Sequence, residues 1–425
     1  MMGGALAQNK PFRGWMVLAG AMAAYLGICG NVSYAFGVFL PVMAESMGWG
    51  RQALSGVYTF FLVLGGLLGP LAGWSVARFG ARRNIVWGNV AAVLGLLGMS
   101  QAGALWHVYL CFGLLCGLAL AFSEFLPTTT VVNHWFIRRR SWALGLLLAS
   151  GAAGGFVMPS AISLLMGGIG WRGTWVVLAA LQGLLGIGLA GWLIRDTPQE
   201  QGQVPDGWID PPQADGDLVL DASGGDSKSE SISLLCRVLK IRALWIQLAL
   251  FTVLLFAVNM ISAHQVAYLR DLRYSPMLSA TAFGLMLGAS ILGRIASGGL
   301  GMLVQGRYLA SAFMMCMALG ILSLMKAKGE GFVYLYSALT GVGFGGMIVI
   351  LPHMMAQSVG RRLFPRVVGW TTPIVAVVAA ASPVLAGYLF DVTGSYAWPF
   401  GLAASLLLLG GMLALLIRPD SAHDL

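Results

Sequence analysis

PMLSATAFGLMLGASILGRIASGGLG, residues 276–301, is apolar along its whole length except for one arginine, Arg294. As a helix rising 1.5 Å per residue it is long enough to cross a hydrocarbon core about 30 Å thick. A guanidinium inside a bilayer costs at least about 2.5 kcal/mol on insertion scales, so it faces a partner or a wet cavity. Gly288, Ser290, Gly293, Ser297 and Gly298 give it small neighbours that let other helices come close. Two roles fit such an arginine. It binds a carboxylate through its fixed, permanently charged fork, or it pins two helices together through backbone carbonyls. The first is the expectation, because charges within membrane segments are functional by default.

The rest of the chain has the same character. Of 425 residues 58% are hydrophobic and only 10% charged, against about 25% charged in soluble domains. Twelve apolar runs are long enough to span, at 14–43, 54–76, 85–105, 108–132, 142–168, 174–194, 244–269, 277–301, 308–327, 332–358, 367–390 and 398–417. The expected fold class is an all-α membrane protein of twelve transmembrane helices. The first run is too long for the core of a cleaved signal, so none is expected. The net charge of +9 lies at segment ends rather than in one patch, which argues against nucleic acid. Cys29, Cys111, Cys116, Cys236 and Cys316 have no metal-ligand spacing and read as packing residues. Neither a cofactor nor a metal is expected, and no phosphate-binding G-x-x-x-x-G-K-[ST] loop occurs.

A polar stretch, 195–240, separates six runs from six, giving a unit at 1–194, a linker at 195–242 and a second unit at 243–425. Its Asp, Gly, Pro and Ser content predicts a largely flexible linker, with 232–242 a candidate surface helix. Short loops on the N-terminal side carry ten lysines and arginines, against six on the other. That asymmetry predicts both termini in the cytoplasm and a place in the cell (inner) membrane. The halves also repeat. Gly73 and Gly80 recur 226 residues on as Gly299 and Gly306, Pro127 recurs 225 on as Pro352, and Pro159 recurs 224 on as Pro383. A duplicated six-span unit suits two bundles rocking about a central site.

The loop GWSVARFGARR, 73–83, carries Gly73, Arg78, Gly80, Arg82 and Arg83 in the order of the conformational loop of the major facilitator superfamily, with Ala77 where that family has Asp. The chain resembles that superfamily, and within it the monocarboxylate transporter branch in bacterial form. The closer resemblance rests on Arg294, NVSYAFGVFLP (31–41), HWFIRRRSWALG (134–145) and PVLAGYLFDVTGSY (383–396). It implies two pseudo-symmetric six-helix bundles and alternating access to a midplane site. Two departures stand out: the family's span 1 lysine falls near Val38, and its aspartate one turn before the arginine is Ser290. The oxalate–formate exchanger is similar too, but it adds a lysine in span 11, where this chain has no charge within 367–390. One fixed cation suits a monoanion.

Glu124, in span 4 just before Pro127, is the other charge well inside a span. A carboxyl in low dielectric holds its proton more tightly, as a proton carrier requires, although a structural Glu would do the same. His353 in span 10 and His264 in span 7 are further proton-coupling candidates, each weighed against a structural contact. Candidate substrate contacts are Tyr34 and Asn31, close to one turn apart, and Asn259, which matches Tyr34 in the repeat. The aromatics Phe36, Phe122 and Tyr336 and the imidazole of His353 complete the set. The conformational loops contribute Gly73, Arg78, Gly80, Arg82, Arg83 and Gly306. The reading is a secondary transporter of a small monocarboxylate such as lactate or pyruvate, by proton symport, with a monomer sufficient. The alternatives are an exchanger of other small organic acids, an exporter of non-carboxylates, an intramembrane enzyme using Glu124 with His353, and a receptor signalling through the linker.

Overall fold

Backbone that crosses a bilayer must satisfy its own N–H and C=O groups, which makes apolar runs helical. The computed structural model describes residues 12–206, 241–359 and 364–417, without the side chains of 364–366, 368–370 and 372. Among the described residues no strand forms, and one isolated bridge joins Phe136 to Asp206. Among the described residues nine helices are long and apolar enough to span, and Arg51–Leu67 with Gly69–Phe79, bent by 50°, makes a tenth. Arg140–Leu193 counts as two spans, because the chain breaks at Gly170, where φ of 69° favours glycine. Ala81–Ser100, a helix of 20 residues, is long enough to be the remaining one. Twelve spans result.

The observed spans are 1, Gly14–Met47; 2, the bent pair; 3, Ala81–Ser100; 4, Leu105–Trp135; 5 and 6, Arg140–Leu193; 7, Arg242–Asp271; 8, Pro276–Leu300; 9, Gly306–Met325; 10, Glu330–Val359; 11, Phe364–Thr393; and 12, Ala397–Ala414. π-Helical turns interrupt span 1 at Ile28–Ser33, span 4 at Tyr109–Cys116 and span 6 at Gly183–Leu189. Each wider turn rotates the residues that follow, so faces counted at 3.6 residues per turn do not persist across it.

Two expectations need correcting. The stretch 73–83 is not a loop: helix runs to Phe79, and Gly80 alone makes the turn into span 3 at φ 87°. A Cβ on Gly80 would collide with the Asp196 carboxylate, whose Oδ1 accepts from the Arg82 N–H at 2.7 Å. Arg82 also donates from Nε and Nη2 to the Gly191 carbonyl, at 3.0 and 2.7 Å. The acid missing at Ala77 therefore reaches this turn from just after span 6. Gly73 lies inside the span 2 helix, Arg78 and Arg83 are exposed, and Gly306 opens span 9 beside Met354.

The second correction concerns the linker, whose first part is pinned. Asp206 accepts from the N–H groups of Ile137 at 2.5 Å and Arg139 at 3.0 Å, Trp135 Nε1 donates to the Arg195 carbonyl, and Arg13 bonds Gln201 and Gln203. Residues 207–240, with Cys236 and most of the candidate surface helix, lie outside the described residues. Asp206→Ala strands two backbone donors and is expected to cost about 1–2 kcal/mol. A melting temperature several degrees lower in detergent checks this. Deleting 208–229 is expected to leave melting and substrate binding unchanged.

Candidate functional site

Arg294 sits within two turns of the end of span 8, about 10 Å from it along the axis. Its Nη1 donates to the Leu148 carbonyl of span 5 at 2.9 Å, while its Nε is buried without a partner. Helix pinning is thus present, but it uses one of five N–H groups. The rest of the fork is available for an anion.

Glu124 sits at a break in span 4, between helices Gly117–Ser123 and Phe125–Trp135, with φ −88° and ψ −111°. Pro127 has no N–H for the Ser123 carbonyl, so a regular helix would be costly there. The Thr128 hydroxyl donates to the Glu124 carbonyl at the break. Half-buried, the carboxylate accepts from Cys29 Sγ and Ser33 Oγ of span 1, both at 3.5 Å. Tyr25, Cys29 and Tyr34 lie within electrostatic reach of both Glu124 and Arg294. The Tyr34 ring meets Phe283 of span 8 edge-on at 6.1 Å and rests against Gly155 of span 5. Arg294, Glu124 and Tyr34 are each half-buried, and Tyr34 lies within electrostatic reach of the other two where the halves meet. Tyr25 and Ser33 were not singled out in the sequence, and Cys29 read there as a packing residue; the nearness of Cys29 and Ser33 to Glu124 depends on the π-turn at Ile28–Ser33.

Other candidates lie elsewhere. Asn31, on the π-turn, is fully buried and donates to Gln182 of span 6 at 2.9 Å; Gln182 continues to Asn89, and Asn89 to Ser123. It joins a polar chain inside the first six spans. Phe36 is buried between Tyr58 and Phe112, and Tyr336 is buried with its hydroxyl on Met286 Sδ at 3.3 Å. His353 is exposed and bonds Gln357 at 3.0 Å. Asn259 and Phe122 are half-buried, and Asn259 makes no side-chain hydrogen bond among the described residues.

His264 belongs to a seam that closes the opposite end of the molecule. There Arg51, opening span 2, forks onto Asp271 with both Nη atoms at 2.6 Å and lies 4.0 Å over the Phe390 ring. Asp391 of span 11 accepts from the N–H groups of Arg51 at 3.2 Å and Gln52 at 2.9 Å. Arg270 meets Glu45 at 3.4 Å, and deeper down Ser160 bonds Thr281 at 3.1 Å. Backbone meets backbone across the halves. A Cβ on Gly37 would strike the Ser262 carbonyl, one on Gly284 the Phe156 carbonyl, and one on Gly387 would lie 2.8 Å from Gln52 Cα. Inside the seam a largely apolar cavity of about 260 Å³ is lined by Val38, Val42, Met166, Trp171, Val266 and Arg270 among others. Ser290, one turn before Arg294, is buried and donates to the Leu287 carbonyl at 2.6 Å.

A twelve-span helical chain with half-buried charges on spans 4 and 8 and one end sealed is built as a transporter. The family profile of the Major Facilitator Superfamily matches residues 17–383, and the chain belongs to that superfamily; it is a transporter and not an enzyme. Its relatives include Monocarboxylate transporter 13 of Rattus norvegicus, 27% identical over 403 residues, covering 93% of this chain and 87% of the relative. Monocarboxylate transporter 3 of Rattus norvegicus is 28% identical over 409 residues (94% and 78%), and Monocarboxylate transporter 1 of the same species is 24% identical over 424 (94% and 83%).

Gly37→Val places two methyls where the span 7 backbone lies, so closure at the Arg51 end is expected to fail while each half stays packed. Substrate exchange should fall roughly tenfold or more with unchanged yield. Exchange at the wild-type rate would show that this approach of spans 1 and 7 is not needed.

Proposed function

We propose that the chain moves small monocarboxylates of the lactate or pyruvate type together with a proton, by alternating access. The observation that carries this reading is the guanidinium of Arg294, held inside span 8 by one carbonyl with most of its fork unused. A bidentate carboxylate satisfies such a fork, and a single cation balances a single negative charge. The names of the relatives support the substrate class. Binding neutralises the site, which lowers the cost of enclosing it in low dielectric and makes the loaded carrier the one that switches.

Arg294 cannot release its proton, so the coupling falls to Glu124. Its carboxylate, half-buried and held only by a thiol and a hydroxyl, is free to ionise when water enters and is neutral when water is excluded. The units are 1–194 and 243–425, joined by 195–242. Lysine and arginine bias favours both termini in the cytoplasm of a cell membrane, which makes the Arg51 end external. A monomer contains the whole site.

Proteoliposome transport tests both assignments. Arg294→Lys is expected to raise KM for lactate at least about tenfold, since a point charge does not reproduce the fork, and Arg294→Ala to abolish saturable uptake. Near-normal uptake by Arg294→Ala would contradict the site. Glu124→Gln is expected to keep lactate–lactate exchange but lose accumulation driven by an acidic exterior; accumulation that persists would remove Glu124 as the carrier.

A further inference from the structure

The hydrogen bonds around His264 form a ring that fits a single protonation state. The Pro383 carbonyl only accepts, so the imidazole nitrogen 2.8 Å from it, Nε2, carries the hydrogen. Ser55 Oγ, 3.1 Å from the same nitrogen, spends its own hydrogen on the Arg51 carbonyl at 2.6 Å and so also accepts. Nδ1 is therefore bare and accepts from the Tyr396 hydroxyl at 3.0 Å. The Tyr396 oxygen in turn accepts from Arg51 Nη1 at 2.9 Å, and Arg51 is the residue that locks the two halves. Donors and acceptors match around the ring when His264 is neutral with its hydrogen on Nε2.

We propose that His264 is a positioning residue that ties protonation to gating: the Arg51 end closes on the neutral imidazole, and a proton on Nδ1 holds that end open. The inference rests on the alternating-access reading above and adds to it a second titrating group, distinct from the carrier Glu124. A proton on Nδ1 puts the Tyr396 oxygen between two cationic donors and leaves its own hydrogen without an acceptor. It also places an imidazolium one hydroxyl away from the Arg51 guanidinium.

The charged and titratable groups facing the ring are committed to other partners. Span 2 brings Arg51, a like charge. Asp271, on the histidine's own span, has both oxygens on Arg51. Asp391 of span 11 has both oxygens on the N–H groups that open span 2. Tyr396 is the ring member already described, and Tyr268 of span 7 points its hydroxyl to the Met325 carbonyl at 3.4 Å. From span 1, Glu45 is engaged by Arg270. His264 is fully buried when the end is closed, so it exchanges protons with water only when the end is open. Acid on that side therefore accumulates open carriers, and closure follows loss of the proton.

The test is a distance measurement that needs no substrate. Spin labels at Ser46 and Thr393, exposed residues of spans 1 and 11 at this end, are introduced after replacing the five native cysteines. Double electron–electron resonance is recorded at about pH 7.5 and about pH 5, either side of the ordinary imidazole range. The long-distance population is expected to rise roughly threefold or more at the lower pH. His264→Gln and His264→Asn, whose amides do not titrate, are expected to abolish the rise, whereas Glu124→Gln keeps it. Tyr396→Phe breaks the relay and is expected to raise the open fraction at both pH values. An unchanged wild-type distribution, or the same rise in the His264 variants, overturns the proposal. Absent lactate counterflow by the wild type would instead sink the transport reading, and the distance result stands apart from it.

Discussion

A guanidinium keeps its charge at any pH a cell meets, and a bilayer interior solvates charge poorly. The structure answers that constraint at Arg294 with one carbonyl and a half-buried position. The packing around span 8 follows from it. A Cβ on Gly293 would strike the Val342 carbonyl, and one on Gly345 the Ser290 carbonyl, so spans 8 and 10 meet backbone to backbone. That contact fixes the rotation of span 8 and directs Arg294 across to Leu148 of span 5. The arginine thus spans the boundary between the two halves, where an enclosed anion would touch both.

The sealed end is assembled from individually weak parts. The Arg51–Asp271 pair is partly exposed, at 16% and 36%, and such pairs contribute about 1 kcal/mol or less. A cation–π contact at a similar site adds roughly 0.5–1 kcal/mol. Glycine-lined contacts across spans 1–7, 5–8 and 2–11 supply close packing without interlocking large side chains. A seam built this way closes cooperatively and opens without unfolding either half, as switching between packed states requires.

Much of this was legible in the sequence. Span length, the solitary Arg294 and Glu124, and the repeated prolines and glycines are local properties of an apolar chain, and they gave the twelve-span fold and the two central charges. Side-chain direction was less accessible. Asn31 and Tyr34 looked like neighbours on one face, but the π-turn at Ile28–Ser33 sends Asn31 to Gln182 and leaves Tyr34 against Phe283. Phe36 and Tyr336 have the composition of a binding wall and the position of a core. Arg51, Asp271 and Asp391 read as ordinary loop charges, because residues up to 340 apart in sequence must be brought together before they form a seam. Asp391 and Tyr396 both lie in the stretch 383–396 that carried the family resemblance, so that signal was present without its meaning. Asp196 and Asp206 were hidden in a segment whose composition reads as linker.

The direct test of the central claim is contact between substrate and arginine. Solid-state NMR of protein labelled with guanidinium-¹⁵N arginine, reconstituted with lactate carrying ¹³C at the carboxyl, reports their dipolar coupling. The expected result is dephasing that corresponds to hydrogen-bonded groups, with N···O separations of about 2.7–2.9 Å, and its loss in Arg294→Lys. Dephasing of equal size in Arg294→Lys would place the carboxylate on another arginine and contradict the account.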